Sequence, residues 1–185
     1  DGAPGLIRAV EEVFPGSLRQ RCLAHKTRNV TDKVSDSALA EVKNAVRAAY
    51  YAPNREVANM IAADVLKTYQ STYPAAMRSF QDDWEACIAY LRCPAIHHKR
   101  IRTTNLLERS FLEERRRTRT IPRFFSEKSC LKLVFATLWR ASQRWQGVRM
   151  SEIERQQLKL LRRELGQLAH EKQENVELHA GRLAA

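Results

Sequence analysis

Apolar residues recur every three or four positions along most of this chain, a spacing that predicts a protein built mainly of helices. Leu6, Val10, Val13 and Phe14 share one face of a short helix over 6–14, which Pro15-Gly16 stops. Residues 17–22, SLRQRC, alternate instead and read as one short strand. Helices are then expected from Leu23 to about Val34, and over 39–52, 55–73 and 74–91. Pro53 closes the 39–52 segment, and Pro74 sits where a first-turn proline is tolerated. Phe80, Trp84, Ile88 and Tyr90 read as core residues of this helical stretch. After a basic connection over 94–103, helices over 105–118, 127–146 and about 150–174 follow. In the last, Leu158, Leu161, Leu165 and Leu168 make a heptad-like seam too short for a coiled coil, which fits packing on its own domain.

Composition places these helices in a globular protein, with 44% hydrophobic and 29% charged residues. No run approaches the roughly 18 apolar residues that a membrane span needs, so no membrane partner is expected. Without a basic-led hydrophobic leader, the expected location is cytoplasmic. The net charge of +11 changes the picture further. Such an excess favours polyanions, chiefly nucleic acid, because each neutralised phosphate releases condensed counterions. Four cysteines without disulfide-like spacing are expected to be reduced.

The stretch TTNLLERSFLEERRRTR, residues 103–119, carries the candidate chemistry. If Asn105 caps the helix, Glu108 is its third residue, and Asn-x-x-Glu is a variant of the capping box. A structural glutamate is one reading of that spacing. A metal-binding glutamate is the other, and it needs a second carboxylate, which Asp1 offers ahead of a Gly/Pro-rich turn. Two or three carboxylates can hold paired Mg²⁺ (or Mn²⁺) ions for phosphodiester chemistry. Arg109, Arg115, Arg116, Arg117 and Arg119 would then grip the DNA backbone, with Lys26 and Arg28 as further candidates. Arg115 and Arg116 cannot share a helix face, so one or two of these arginines are expected to face solvent or pair with Glu113 and Glu114. Cys22-x-x-His25 is a weak zinc signal, since structural zinc wants four ligands. Cys93, His97 and His98 are the other donors in reach of that reading, but structural zinc is not favoured over a packed cysteine and a hydrogen-bonded histidine.

Taken together, DGAPG (1–5), QRCLAHKTRN (20–29) and RTTNLLERSFLEERRRTR (102–119) resemble the second half of the catalytic domain of the Mutator-type transposases of bacterial insertion sequences. The resemblance runs from Asp1 to about Glu164. It implies a partial ribonuclease-H-like α/β fold, mostly α in this stretch, with an all-α insertion and most of the central sheet missing. Residues 1–30 would belong to the core, 31–100 to the helical insertion, 101–146 to the final core helices, and 147–185 to a C-terminal helix and tail. Asp1 matches the family's second catalytic aspartate and Glu108 its catalytic glutamate. Cys22, His25 and Asn105 match family signature positions. The first aspartate would lie N-terminal to Asp1, and the chain, beginning with Asp1 rather than methionine, reads as part of a longer protein. Without that aspartate it is expected to be inactive alone. When complete, the resemblance implies Mg²⁺-dependent cleavage and strand transfer of transposon ends by a nucleoid-associated homodimer acting on DNA. The alternative is a basic helical DNA-binding remnant without catalysis.

Overall fold

The computed structural model describes residues 2–145 and 147–183, except for the side chains of 172–183. It is mostly helical, and no strand occurs among the described residues. The chain forms two compact units, one of residues 1–102 with 150–185, the other of 103–149. No helix among the described residues is long and apolar enough to cross a membrane.

The larger unit is built on α1 (Pro4–Val13), α2 (Leu23–Thr31), α3 (Leu39–Tyr50), α4 (Arg55–Tyr69) and α5 (Pro74–Gln81). Its core fills from the faces that the apolar spacing marks. Leu23 and Val30 of α2 meet Val42, Val46 and Tyr50 of α3, Ala62 and Val65 of α4, and Met77 and Phe80 of α5. Trp84 stacks on Tyr50 at 5.8 Å between ring centroids and tilts against Phe80 at 5.3 Å, while its indole N–H donates to Asn59. Asn54 caps α4 by accepting from the Val57 N–H at 2.9 Å.

Three local expectations are corrected. The strand over 17–22 does not form. Its donors go to a different partner: the Arg21 N–H bonds to the Ala86 carbonyl at 2.8 Å. The Gln20 side chain donates to the Cys87 carbonyl at 2.9 Å and accepts from the Tyr90 N–H at 2.6 Å. The helix over 74–91 is broken. After α5 come α6 (Trp84–Ile88) and a 3-10 turn at Ala89–Arg92, because Asp83 takes a left-handed conformation at φ 56°. The basic connection over 94–103 is largely a helix, α7 (Ala95–Ile101), whose last turn carries His98, Lys99 and Arg100 where cations complement the helix dipole.

Charge explains the break at Asp82 and Asp83. Lys26 is only 1% exposed, and its ammonium donates to the Asp82 carbonyl and, at 3.2 Å, to the Asp82 carboxylate. Asp83 receives Arg19 at 2.8 Å and lies 3.5 Å from the Arg21 Nε. Cys87 beside this junction has its thiol pushed up to about 11 by burial, which keeps it protonated.

The return segment is α10 (Glu152–Leu183), started by a capping box in which Ser151 and Glu154 exchange bonds. Leu158, Leu161 and Leu165 are half-buried as the seam predicts, but Ala169 rather than Leu168 continues it, leaving Leu168 43% exposed. Arg92 pairs with Glu164 at 2.8 Å, and His97 Nε2 lies 3.1 Å from Met150 Sδ.

Two measurements test this junction. Lys26→Met keeps the buried stem and removes the donor, leaving the Asp82 carbonyl short of a partner. The expected cost is about 1–2 kcal/mol in urea unfolding, because the Asp82 carboxylate is 70% exposed and rehydrates. An unchanged midpoint would refute this account of the break. Asp83 has its carboxyl held below the ordinary value, chiefly by the Arg19 hydrogen bond. Its stabilisation is therefore complete above the unfolded-state pKa of about 4 and is lost as pH falls through the lower folded value. Asp83→Asn, which tolerates the left-handed conformation, should flatten the loss of stability as pH falls below about 5. Identical pH slopes in parent and variant would count against it.

Candidate functional site

The unit of residues 103–149 is a helical hairpin of α8 (Asn105–Thr118) and α9 (Glu127–Ser142). Reciprocal bonds between Ser126 and Ser129 start α9. At the head of α8, Thr104 rather than Asn105 takes the N-cap position, and Asn105 is the first helical residue. Glu108 therefore sits fourth, not third, which puts it one full turn beyond Thr104. Its N–H closes the first helical bond onto the Thr104 carbonyl at 2.9 Å. The Thr104 hydroxyl donates to the Glu108 carboxylate at 2.5 Å, so the cap residue orients the carboxylate. Sequence reasoning missed Thr104, although a threonine one turn before a glutamate is a usable signal.

Glu108 is exposed, while Ser110, about 200° around the helix, is 8% exposed. The exposed face continues in register. Arg115 and Arg119 lie seven and eleven residues on, about two and three turns, which stacks them over Glu108 at roughly 10 and 16 Å along the axis. Arg116 and Arg117 behave differently. Both reach Glu113, at 3.7 and 3.0 Å, as the sequence suggested for part of the set. Among the described residues, Arg109, Arg115 and Arg119 are exposed and in no ion pair.

The other candidates sit in the larger unit. Cys22 is the buried N-cap residue of α2, and His25 follows within its first turn, half-buried. Lys26 was expected on DNA, but its charge is turned inward onto Asp82 as described above. Arg28, two residues later, is exposed. Asp1 lies outside the described residues. Among the described residues no three of His, Cys, Asp or Glu come together as a metal site. His98 Nε2 instead lies 2.8 Å from the Cys93 carbonyl.

The sequence profile of the Mutator family of transposases matches residues 1–148, which takes in α1 to α9 and the whole of TTNLLER. The chain belongs to that family. It is similar to the transposase for insertion sequence element IST2 of Acidithiobacillus ferrooxidans, with 34% identity over 80% of this chain and 50% of the relative. It is also similar to the transposase for insertion sequence element IS6120 of Mycolicibacterium smegmatis, at 31% over 80% and 46%. A third relative, the transposase for insertion sequence element ISRM5 of Rhizobium meliloti, is 33% identical over 78% of this chain and 36% of the relative. This Mutator-family chain thus spans half or less of the length of these relatives. Its residues 149–185, with the whole of α10, lie beyond the profile match.

Proposed function

We propose that these residues form the later part of a DNA transposase catalytic domain, with Glu108 as the last carboxylate of a DDE metal site. The observation that carries this reading is the head of α8. An exposed carboxylate is held by the Thr104 hydroxyl, and two unneutralised arginines follow on the same stripe. Carboxylate oxygen is the donor type that Mg²⁺ prefers, so Glu108 fits the ion, with Asp1 as its partner ligand in this chain. When bound, such ions activate the attacking hydroxyl and stabilise the leaving oxygen of a phosphodiester. The protein's own part is placement. Thr104 fixes the carboxylate rotamer, and Arg115 and Arg119 bind phosphates to one side of the reacting one, without reading bases.

The finer fold reading has support in the hairpin. Leu107, Phe111, Leu131, Phe135 and Trp139 are each more than half exposed, with Phe135 and Trp139 stacked at 6.2 Å. An apolar face of that extent suits helices that lie on a ribonuclease-H-like sheet. Pairing of two transposon ends by a homodimer belongs to the same proposal.

In the full-length protein, Glu108→Gln should abolish Mg²⁺-dependent cleavage of a terminal-repeat duplex, while gel-shift affinity stays within about twofold, since the carboxylate serves chemistry and not backbone binding. Cleavage that survives the substitution would remove Glu108 from the site. Arg115→Gln and Arg119→Gln should each reduce the salt dependence of DNA binding by about one unit of slope. Arg117→Gln should do less, because Glu113 already neutralises Arg117. Equal effects from all three would mean the stripe is not the contact surface.

A further inference from the structure

Some cations of the larger unit are ion-paired and others are not. Arg19, Arg21, Lys26, Arg55 and Arg92 are each answered by a carboxylate: Asp83 for the first two, then Asp82, Glu85 and Glu164. Arg28, Lys43, Arg47 and Arg102 are in no ion pair among the described residues. Three of these four share one place. Arg28 on α2 and Lys43 and Arg47 on α3 line one groove of about 290 Å³ between the two helices, and no carboxylate is among the described residues that line it.

The groove is built to present positive charge. Tyr51 forms its end wall, and the Arg47 guanidinium lies 5.6 Å from the centre of that ring. Arg102 lies over the same ring at 4.4 Å, so one aromatic side chain holds two guanidinium groups. Thr27 and Thr31 form the floor, but their hydroxyls donate to the Leu23 and Arg28 carbonyls of their own helix, at 2.7 and 3.1 Å. The donors left for a ligand are the lysine and arginine heads, which accept nothing. Lys43 and Arg47 are like charges one turn apart, an arrangement that disfavours the helix and that a bound polyanion would relieve. From Lys43 to Tyr51 the groove runs about 12 Å along α3.

We infer that the α2–α3 groove is a phosphodiester-binding site that holds one strand of a DNA duplex by its backbone. It belongs to a different compact unit from the Arg115–Arg119 stripe. The inference rests on the proposed DNA transposase reading and adds a second, sequence-independent contact to it. It also gives Arg28 its role, in company with Lys43, Arg47 and Arg102.

The test uses the 185-residue chain and a labelled DNA duplex of about 30 base pairs, with anisotropy read between about 50 and 200 mM salt. The triple variant Arg28→Gln, Lys43→Gln, Arg47→Gln should bind at least about tenfold more weakly, with the salt slope reduced by two to three units, or about 0.9 per phosphate lost. Lys43→Gln alone, a change at an exposed position, should reduce the slope by about one unit with an unchanged melting curve. The exchange Lys43→Arg with Arg47→Lys should retain the parental slope. If the triple variant and Lys43→Gln bind like the parent while Arg115→Gln with Arg119→Gln is impaired, the groove assignment fails and the transposase reading stands. A parent chain that does not bind the duplex overturns both. Displacement of the labelled duplex by duplex RNA or polyglutamate more readily than by unlabelled DNA overturns the choice of DNA as occupant.

Discussion

Lys26 carries a charge into the interior of the larger unit, and the surrounding chain is arranged to receive it. A buried ammonium is tolerated only where acceptors converge on it, and here both come from Asp82. The backbone carbonyl of Asp82 can accept from a side chain because α5 stops at Gln81, leaving the carbonyls at that helix end without helical donors. Asp83 then turns the chain through a left-handed residue, and Arg19 and Arg21 offset the strain by binding its carboxylate. The residues leading into α2 are thereby stitched to the start of α6, with Gln20 closing the seam against the Cys87 carbonyl and the Tyr90 N–H. Removing the ammonium would loosen the reason for the helix break, and with it the support of the Tyr50, Phe80 and Trp84 cluster.

How much of this the sequence displays depends on whether the deciding partner is local. The amphipathic helices α3, α4, α8 and α9 are legible because one face of each repeats within its own segment. The break at Asp82 and Asp83 is not. Phe80, Trp84 and Ile88 keep helical spacing across it, and the cations that stabilise it lie more than fifty positions earlier. Residues 17–22 alternate like a strand, yet their main-chain partner is the Ala86 carbonyl of a short helix, which alternation cannot reveal. In α7 the charged sequence AIHHKRI has no apolar stripe to read, so its helix went unseen.

The site shows the same division. TTNLLER displays a helix start and a carboxylate, but Thr104 and Asn105 are both good caps, and the sequence does not choose between them. The structure gives the cap to Thr104, whose hydroxyl goes to Glu108. Net charge is equally blind to direction. Lys26 and Arg28 are two residues apart, about 200° around α2, so one is sealed inside and the other faces outward. Acidic neighbours make the last distinction: Glu113 occupies Arg116 and Arg117 and leaves Arg115 and Arg119 unneutralised.

The larger unit is discontinuous in sequence, leaving at Arg102 and resuming at Met150. What closes that gap is the Arg92–Glu164 pair and the half-buried seam of α10, both made within the unit itself. The entropy of closing such an excursion grows only with the logarithm of its length, so doubling it costs about 0.6 kcal/mol. The segment that carries α8 and α9 can therefore gain or lose residues at its loops with little effect on the stability of its carrier. Insertions there are the ones this architecture can absorb, which leaves the arginine helix open to remodelling while the buried lysine and its aspartates stay as they are.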